Sequence, residues 1–94
     1  MDFVGDDFEW DLAKEAENAV KHGVDFTTAA RAFDDPGRVI ALDLAHSRQE
    51  RRYYCFGMVD GGVLTVRFTW RGGRIRIIGA GYWREGKKLY EESH

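Results

Sequence analysis

At 94 residues, with 44% hydrophobic and 32% charged side chains, the chain has apolar surface for one core and too little length for two, which excludes a disordered tail and predicts a single domain over 1–94. Its apolar runs are short, and its first residues, Met1-Asp2-Phe3-Val4-Gly5-Asp6-Asp7, are acidic where a secretory leader is basic, so a cytoplasmic protein with no membrane span is expected. The formal net charge of −2 hides an asymmetry: residues 1–50 hold 5 Lys and Arg against 12 Asp and Glu, whereas residues 51–94 hold 9 against 4. A basic surface that attracts an anion is therefore compatible with an acidic chain.

In chain order, the alternation of Phe8-Glu9-Trp10 predicts a short edge strand that starts as early as Phe3. Asp11 is placed to cap a helix from Leu12 to His22, with Leu12, Ala16, Ala19 and Val20 as its apolar stripe and Lys14, Glu15, Glu17 and Asn18 outside. Lys21 and His22 fall in the last turn, where cations complement the helix dipole, and Gly23 supplies the left-handed stop. Asp25 caps a second helix carrying Phe26, Ala29, Ala30 and Phe33 on one face, ended by Asp34-Asp35-Pro36-Gly37. The short connection between them predicts a helix hairpin over one face of a sheet.

From Arg38 the apolar period becomes two. Strands are predicted over 38–42, 52–58, 63–71 and 74–78, with an exposed loop from Asp43 to Glu50, tight turns at Asp60-Gly61-Gly62 and Gly72-Gly73, and a closing helix from Tyr82 to Glu92. The fold class is α+β, with two N-terminal helices packed on an antiparallel β-sheet and a short C-terminal helix. In the last hairpin, Leu64, Val66, Phe68 and Trp70 share one face, while Arg67 and Arg71 share the other with Arg74 and Arg76. Guanidiniums side by side repel, so carboxylates of the N-terminal half or phosphates must offset them.

The residues also carry a resemblance. Phe8-Glu9-Trp10-Asp11, then Lys14, Asn18, Lys21-His22-Gly23-Val24, Phe26 and Phe33-Asp34-Asp35-Pro36, followed by Glu50, Arg52, Gly57, Leu64, Val66, Arg76-Ile77-Ile78, Ala80 and Tyr90-Glu91, resemble the BrnT family of toxins in order and spacing. The resemblance implies a RelE/ParE-like fold and a ribonuclease that arrests translation. It further implies a cognate BrnA-like antitoxin with a small DNA-binding domain, so that DNA is met only through the antitoxin. One stretch departs from the family pattern: Gly79 and Gly81 stand where a serine and an arginine are customary.

Metal-free RNA cleavage needs a base near the 2′-hydroxyl, cations for the phosphorane charge and an acid for the leaving oxygen. Arg52 and Arg76 match family positions on strands and are the first catalytic candidates, joined by Tyr82, Arg84 and His22; a salt bridge to an acidic residue is the plainer role for either arginine, and helix capping the plainer role for His22. Lys21, Arg67, Arg71, Arg74, Lys87 and Lys88 are the RNA-binding candidates. Trp83 reads as packing, with Tyr82 more open to stacking. His46, in the polar loop with Glu50, could make an acid/base pair with it, although a solvated loop histidine is the plainer reading; His94 reads as frayed and Cys55 as a buried thiol. The three histidines and one cysteine have no ligand spacing, so no metal or cofactor is expected. The rival reading is a non-enzymatic module that binds an antitoxin or RNA through its basic face.

Overall fold

The structure, a computed structural model, describes residues 1–94 and forms an α+β fold around one six-stranded sheet. Its strands are β1 (Asp2–Val4), β2 (Phe8–Asp11), β3 (Val39–Leu42), β4 (Tyr53–Val59), β5 (Gly62–Arg71) and β6 (Arg74–Gly81), in the order β1-β2-β6-β5-β4-β3. The helices are α1 (Leu12–His22), α2 (Phe26–Ala30) and α3 (Arg84–Glu92), with single 3-10 turns at Arg31–Asp34 and Leu44–His46.

The sheet is mixed, which corrects the antiparallel expectation. β2 runs parallel to β6, with Phe8 opposite Ile75 and Trp10 opposite Ile77, and β1 folds back antiparallel on β2. The reason is topological: β2 and β6 are joined by helices and three other strands, so no hairpin turn dictates their direction. β3 to β6 form the predicted antiparallel meander, closed by two-residue turns at Asp60-Gly61 and Gly72-Gly73, whose φ angles are all positive as that turn geometry demands.

Leu64, Val66 and Phe68 point to the face covered by α1, α2 and the 31–34 turn, where they join Trp10, Phe26, Cys55, Ile77 and Ala80 in the core. Burial there pushes the Cys55 thiol up to about 12, so it stays protonated and inert. Thr65, Arg67, Thr69 and Arg71 point to the opposite face, which α3 covers in part through β4 and β5. Two glycines let these layers close: a Cβ on Gly57 would lie 2.3 Å from the Ala32 carbonyl oxygen, and one on Gly86 would strike Thr65 Oγ1.

Helix α1 has the predicted bounds and caps, with Asp11 accepting from the amides of Ala13 and Lys14 and Gly23 left-handed at φ 70°. Its buried face is the reverse of the predicted one. Leu12 and Val20 are exposed, whereas Asn18 is buried and Glu15 partly so. β2 pairs with β6 only as far as Ile77, leaving the Ala80 N–H and C=O without a strand partner. Asn18 supplies both: its amide nitrogen donates to Ala80 O at 2.8 Å and its oxygen accepts from Ala80 N at 3.1 Å. The same amide donates to Val24 O at 2.9 Å, and Glu15 accepts from Trp10 Nε1 and Phe26 N. Satisfying orphaned backbone groups outweighs burying another methyl.

The remaining differences are local. The second helix stops at Ala30 and tightens into the 3-10 turn that carries Phe33, and α1 and α2 rest on β6 instead of pairing as a hairpin. β6 continues past Ile78 because a bulge absorbs that residue: Phe68 faces Ile77 and Arg67 faces Gly79. Tyr82 is therefore outside α3, which begins at Arg84.

Candidate active site

The segment predicted as an exposed loop, 43–50, is held by hydrogen bonds to Arg52, which itself lies just before β4 instead of beginning it. Asp43 continues the β3–β4 ladder by donating its N–H to Arg52 O at 2.8 Å, and Ser47 Oγ accepts from Arg52 N at 3.0 Å. Buried Asp43 holds half-exposed His46 through Nδ1, with Oδ2 at 2.9 Å and Oδ1 at 3.1 Å. A carboxylate on Nδ1 favours the tautomer with a proton there and leaves Nε2 free to take one.

His46 lies between two depressions on the α3 face. On one side is an open, polar basin of about 780 Å³, lined by Arg48, Arg52 and Arg71 with Gln49 and Glu50. Glu50 takes up part of that charge, 2.8 Å from Arg71 and 3.9 Å from Arg52, while Arg48 has no ion pair. On the other side is a more apolar cavity of about 430 Å³ between the sheet and α3, with Leu42, Phe56, Leu89 and Trp83 in its walls and Tyr54, Arg67 and Glu85 among its polar lining. Tyr54 is opposite Arg67 across the β4–β5 ladder. Burial first, and then the Asp43 carboxylate, raise the Tyr54 phenol above its ordinary value, so it is a neutral hydrogen-bond donor at physiological pH.

Trp83 accounts for the glycine at position 81. A Cβ on Gly81 would lie 2.5 Å from Trp83 Cε2, so the indole occupies the space a longer side chain at 81 would need. His22, at the end of α1, also packs on the indole, with ring centroids 5.1 Å apart and the planes near perpendicular. Gly79 has more room, with Asn18 Oδ1 at 3.5 Å from its notional Cβ.

The structure divides the sequence candidates. Arg52, Arg67 and Arg71 come together around His46. Arg84, Lys87 and Lys88 are exposed on α3, and Lys21 and His22 are exposed at the end of α1. Tyr82 packs over Gly62 and donates to Val59 O at 3.1 Å, at the β4–β5 hairpin. Arg74 donates to Gly5 O at 2.8 Å. Arg76 is clasped by Glu9 at 2.6 Å and Asp2 at 3.0 Å, with its side chain only 15% exposed. The four arginines do share a sheet face, but two carboxylates already neutralise Arg76, while Arg71 shares Glu50 with Arg52.

Sequence reasoning set His46 aside as a solvated loop histidine and passed over Asp43, Tyr54 and Glu85. Its one available signal was the spacing of Asp43 and His46, three apart, which a single helical turn brings into contact. No curated protein matches the chain. The family model described as ribonuclease toxin, BrnT, of type II toxin-antitoxin system matches residues 10–86, from Trp10 in β2 to Gly86 in α3, and on that match the chain belongs to the BrnT family of ribonuclease toxins.

Proposed function

We propose that this toxin cleaves RNA on the α3 face of its sheet, as a RelE-like, metal-independent endoribonuclease with His46 as general base. The observation that carries the reading is the position of His46, on the boundary between an arginine-lined basin and an apolar cavity, with Nδ1 anchored to buried Asp43. Phosphates fit the first and a base the second, so the sugar and its 2′-hydroxyl fall at the histidine.

In that arrangement His46 Nε2 takes the 2′-hydroxyl proton as the oxygen attacks the adjacent phosphorus. The bond to the 5′-oxygen of the next nucleotide breaks, that oxygen takes up a proton, and a 2′,3′-cyclic phosphate remains. Arg52 and Arg71 stabilise the charge that builds on the phosphorane, and Asp43 stabilises the imidazolium. Arg84, Lys87 and Lys88 extend the basic surface along α3, and Lys21 and His22 extend it beside Trp83. The partner that silences the site is an antitoxin, for which a BrnA-like protein is the proposed identity.

The test is cleavage of an end-labelled RNA in EDTA by the unmutated protein and by His46→Ala, with folding of both checked by circular dichroism. The expected result is cyclic-phosphate ends from the former and a loss of about 10²-fold or more from the latter. Undiminished cleavage by folded His46→Ala would remove the histidine from the mechanism, and dependence on added metal would remove the metal-free reading.

A further inference from the structure

We infer that the 430 Å³ cavity between the sheet and α3 is a nucleobase subsite that selects guanine, through Glu85 and Arg67 over an apolar bed that includes Trp83. This rests on the ribonuclease reading of the same face and adds to it the identity of the base.

The size and lining come first. The cavity falls within the range of about 300–1,000 Å³ typical of small-molecule sites. Its walls combine Phe56, Leu89 and the Trp83 indole, flat or apolar surfaces suited to a base. Trp83 packs against the Gly81 backbone and against His22, contacts that set its plane before a ligand arrives. A pre-set aromatic is the usual platform for an unstacked base.

The polar groups then choose the base. Glu85 and Arg67 both line the cavity, yet they form no ion pair with each other or with any other residue. Neither side chain has an intramolecular hydrogen bond, whereas most of the other arginines on this face are engaged. An exposed acceptor-only carboxylate and a partly buried donor-only guanidinium, both unpaired in the lining of one cavity, suit a ligand with adjacent donors and adjacent acceptors. Guanine has both: N1–H and N2–H₂ for a carboxylate, O6 and N7 for a guanidinium. Adenine presents its N1 lone pair beside a single amino group, cytosine its N3 lone pair, and uracil one N–H between two carbonyls. Each would turn an acceptor toward Glu85. Thr65, in the same lining, carries the one buried side-chain polar atom without a partner, and its hydroxyl can donate or accept.

The experiment is calorimetric titration of the purified protein with 3′-GMP, 3′-AMP, 3′-CMP and 3′-UMP, repeated with Glu85→Gln, alongside mapping of cleavage sites in an RNA of mixed sequence. The expected result is tighter binding of 3′-GMP by about tenfold or more, a preference reduced to about threefold or less in Glu85→Gln, and cleavage on the 3′ side of guanosines. The amide keeps the size of the carboxylate but offers one acceptor in place of two, so loss of preference without loss of fold points to base reading. Equal binding of the four nucleotides, or a preference that survives Glu85→Gln, overturns the inference. Cleavage that needs His46 but ignores base identity would sink the guanine subsite and leave the nuclease mechanism standing. Selective 3′-GMP binding that Glu85→Gln abolishes, in a protein that cleaves nothing, would establish the subsite and sink the mechanism.

Discussion

Two arginines that looked equivalent in the chain have different surroundings. Arg76 is fastened to Asp2 and Glu9, and the Asp2 carboxyl is held below its usual range, chiefly by its hydrogen bond from Arg76. Arg52 is partly exposed beside the basin, with only a 3.9 Å contact to Glu50. Arg76→Ala should therefore lower stability by about 1–2 kcal/mol, because it leaves the largely covered Glu9 carboxylate unpaired, while cleavage per folded molecule is retained. Arg52→Ala should do the opposite, with little change in urea midpoint and about tenfold or greater loss of cleavage. The reverse pattern would return the active site to the β1–β2 end of the sheet. Neither role was legible from spacing, since both arginines are expected on strands and what separates them is the partners that meet them in space.

At the level of elements, two junctions hold the layers in place. Asn18 ties α1 to the open edge of β6 and to Val24 by three hydrogen bonds. Asn18→Leu should lower unfolding free energy by about 2–4 kcal/mol in urea titration, since it leaves two buried carbonyls and an amide unsatisfied while adding apolar volume. An unchanged midpoint would mean that β6 does not need that partner. Asp35 ties the 31–38 segment to β4 and α3: it accepts from Tyr90 Oη at 2.6 Å and from the amides of Met58 and Gly37, each at 2.8 Å. Those bonds, the Tyr90 hydroxyl first, hold its carboxyl below the ordinary value. Because the folded-state pKa is the lower one, the stabilisation is complete above about pH 4 and is lost as pH falls through the folded-state value. The thermal midpoints of the unmutated protein and Asp35→Asn should therefore differ at pH 7 and converge below about pH 4. A gap that stays constant into acid would show that the Asp35 charge contributes nothing.

Across the whole molecule, the acidic N-terminal half and the basic C-terminal half are not separate poles. Asp2 and Glu9 neutralise Arg76, and Asp60 reaches back to Arg31 at 2.7 Å. Arg48, Arg67, Arg84, Lys87 and Lys88 have no ion pair. If about three phosphates meet these cations and the basin arginines, log affinity for single-stranded RNA should fall with log salt at a slope of about −2. Fluorescence anisotropy across a salt series measures this directly, and salt-independent binding would rule out a phosphate path on this face. The α+β class and the antiparallel meander of β3 to β6 could be read in advance, because alternation and two-residue glycine turns are local instructions.

What the sequence determined by itself is whatever depends on neighbours in the chain. Asp11 and Asp25 start helices, Gly23 stops one, and Asp60-Gly61 and Gly72-Gly73 reverse strands, since capping and turn geometry involve atoms a few bonds apart. The match to the toxin family likewise depends on order along the chain. Tertiary structure alone decided that β2 lies parallel to β6, that α1 turns Asn18 inward, and that Trp83 fills the space above Gly81. It also decided that a loop histidine is anchored to a buried aspartate between two cavities. The β2–β6 pairing and the Asn18 bonds join backbone groups dozens of positions apart, and the two cavities beside His46 are enclosed by elements from distant parts of the chain, so no local period carries that information.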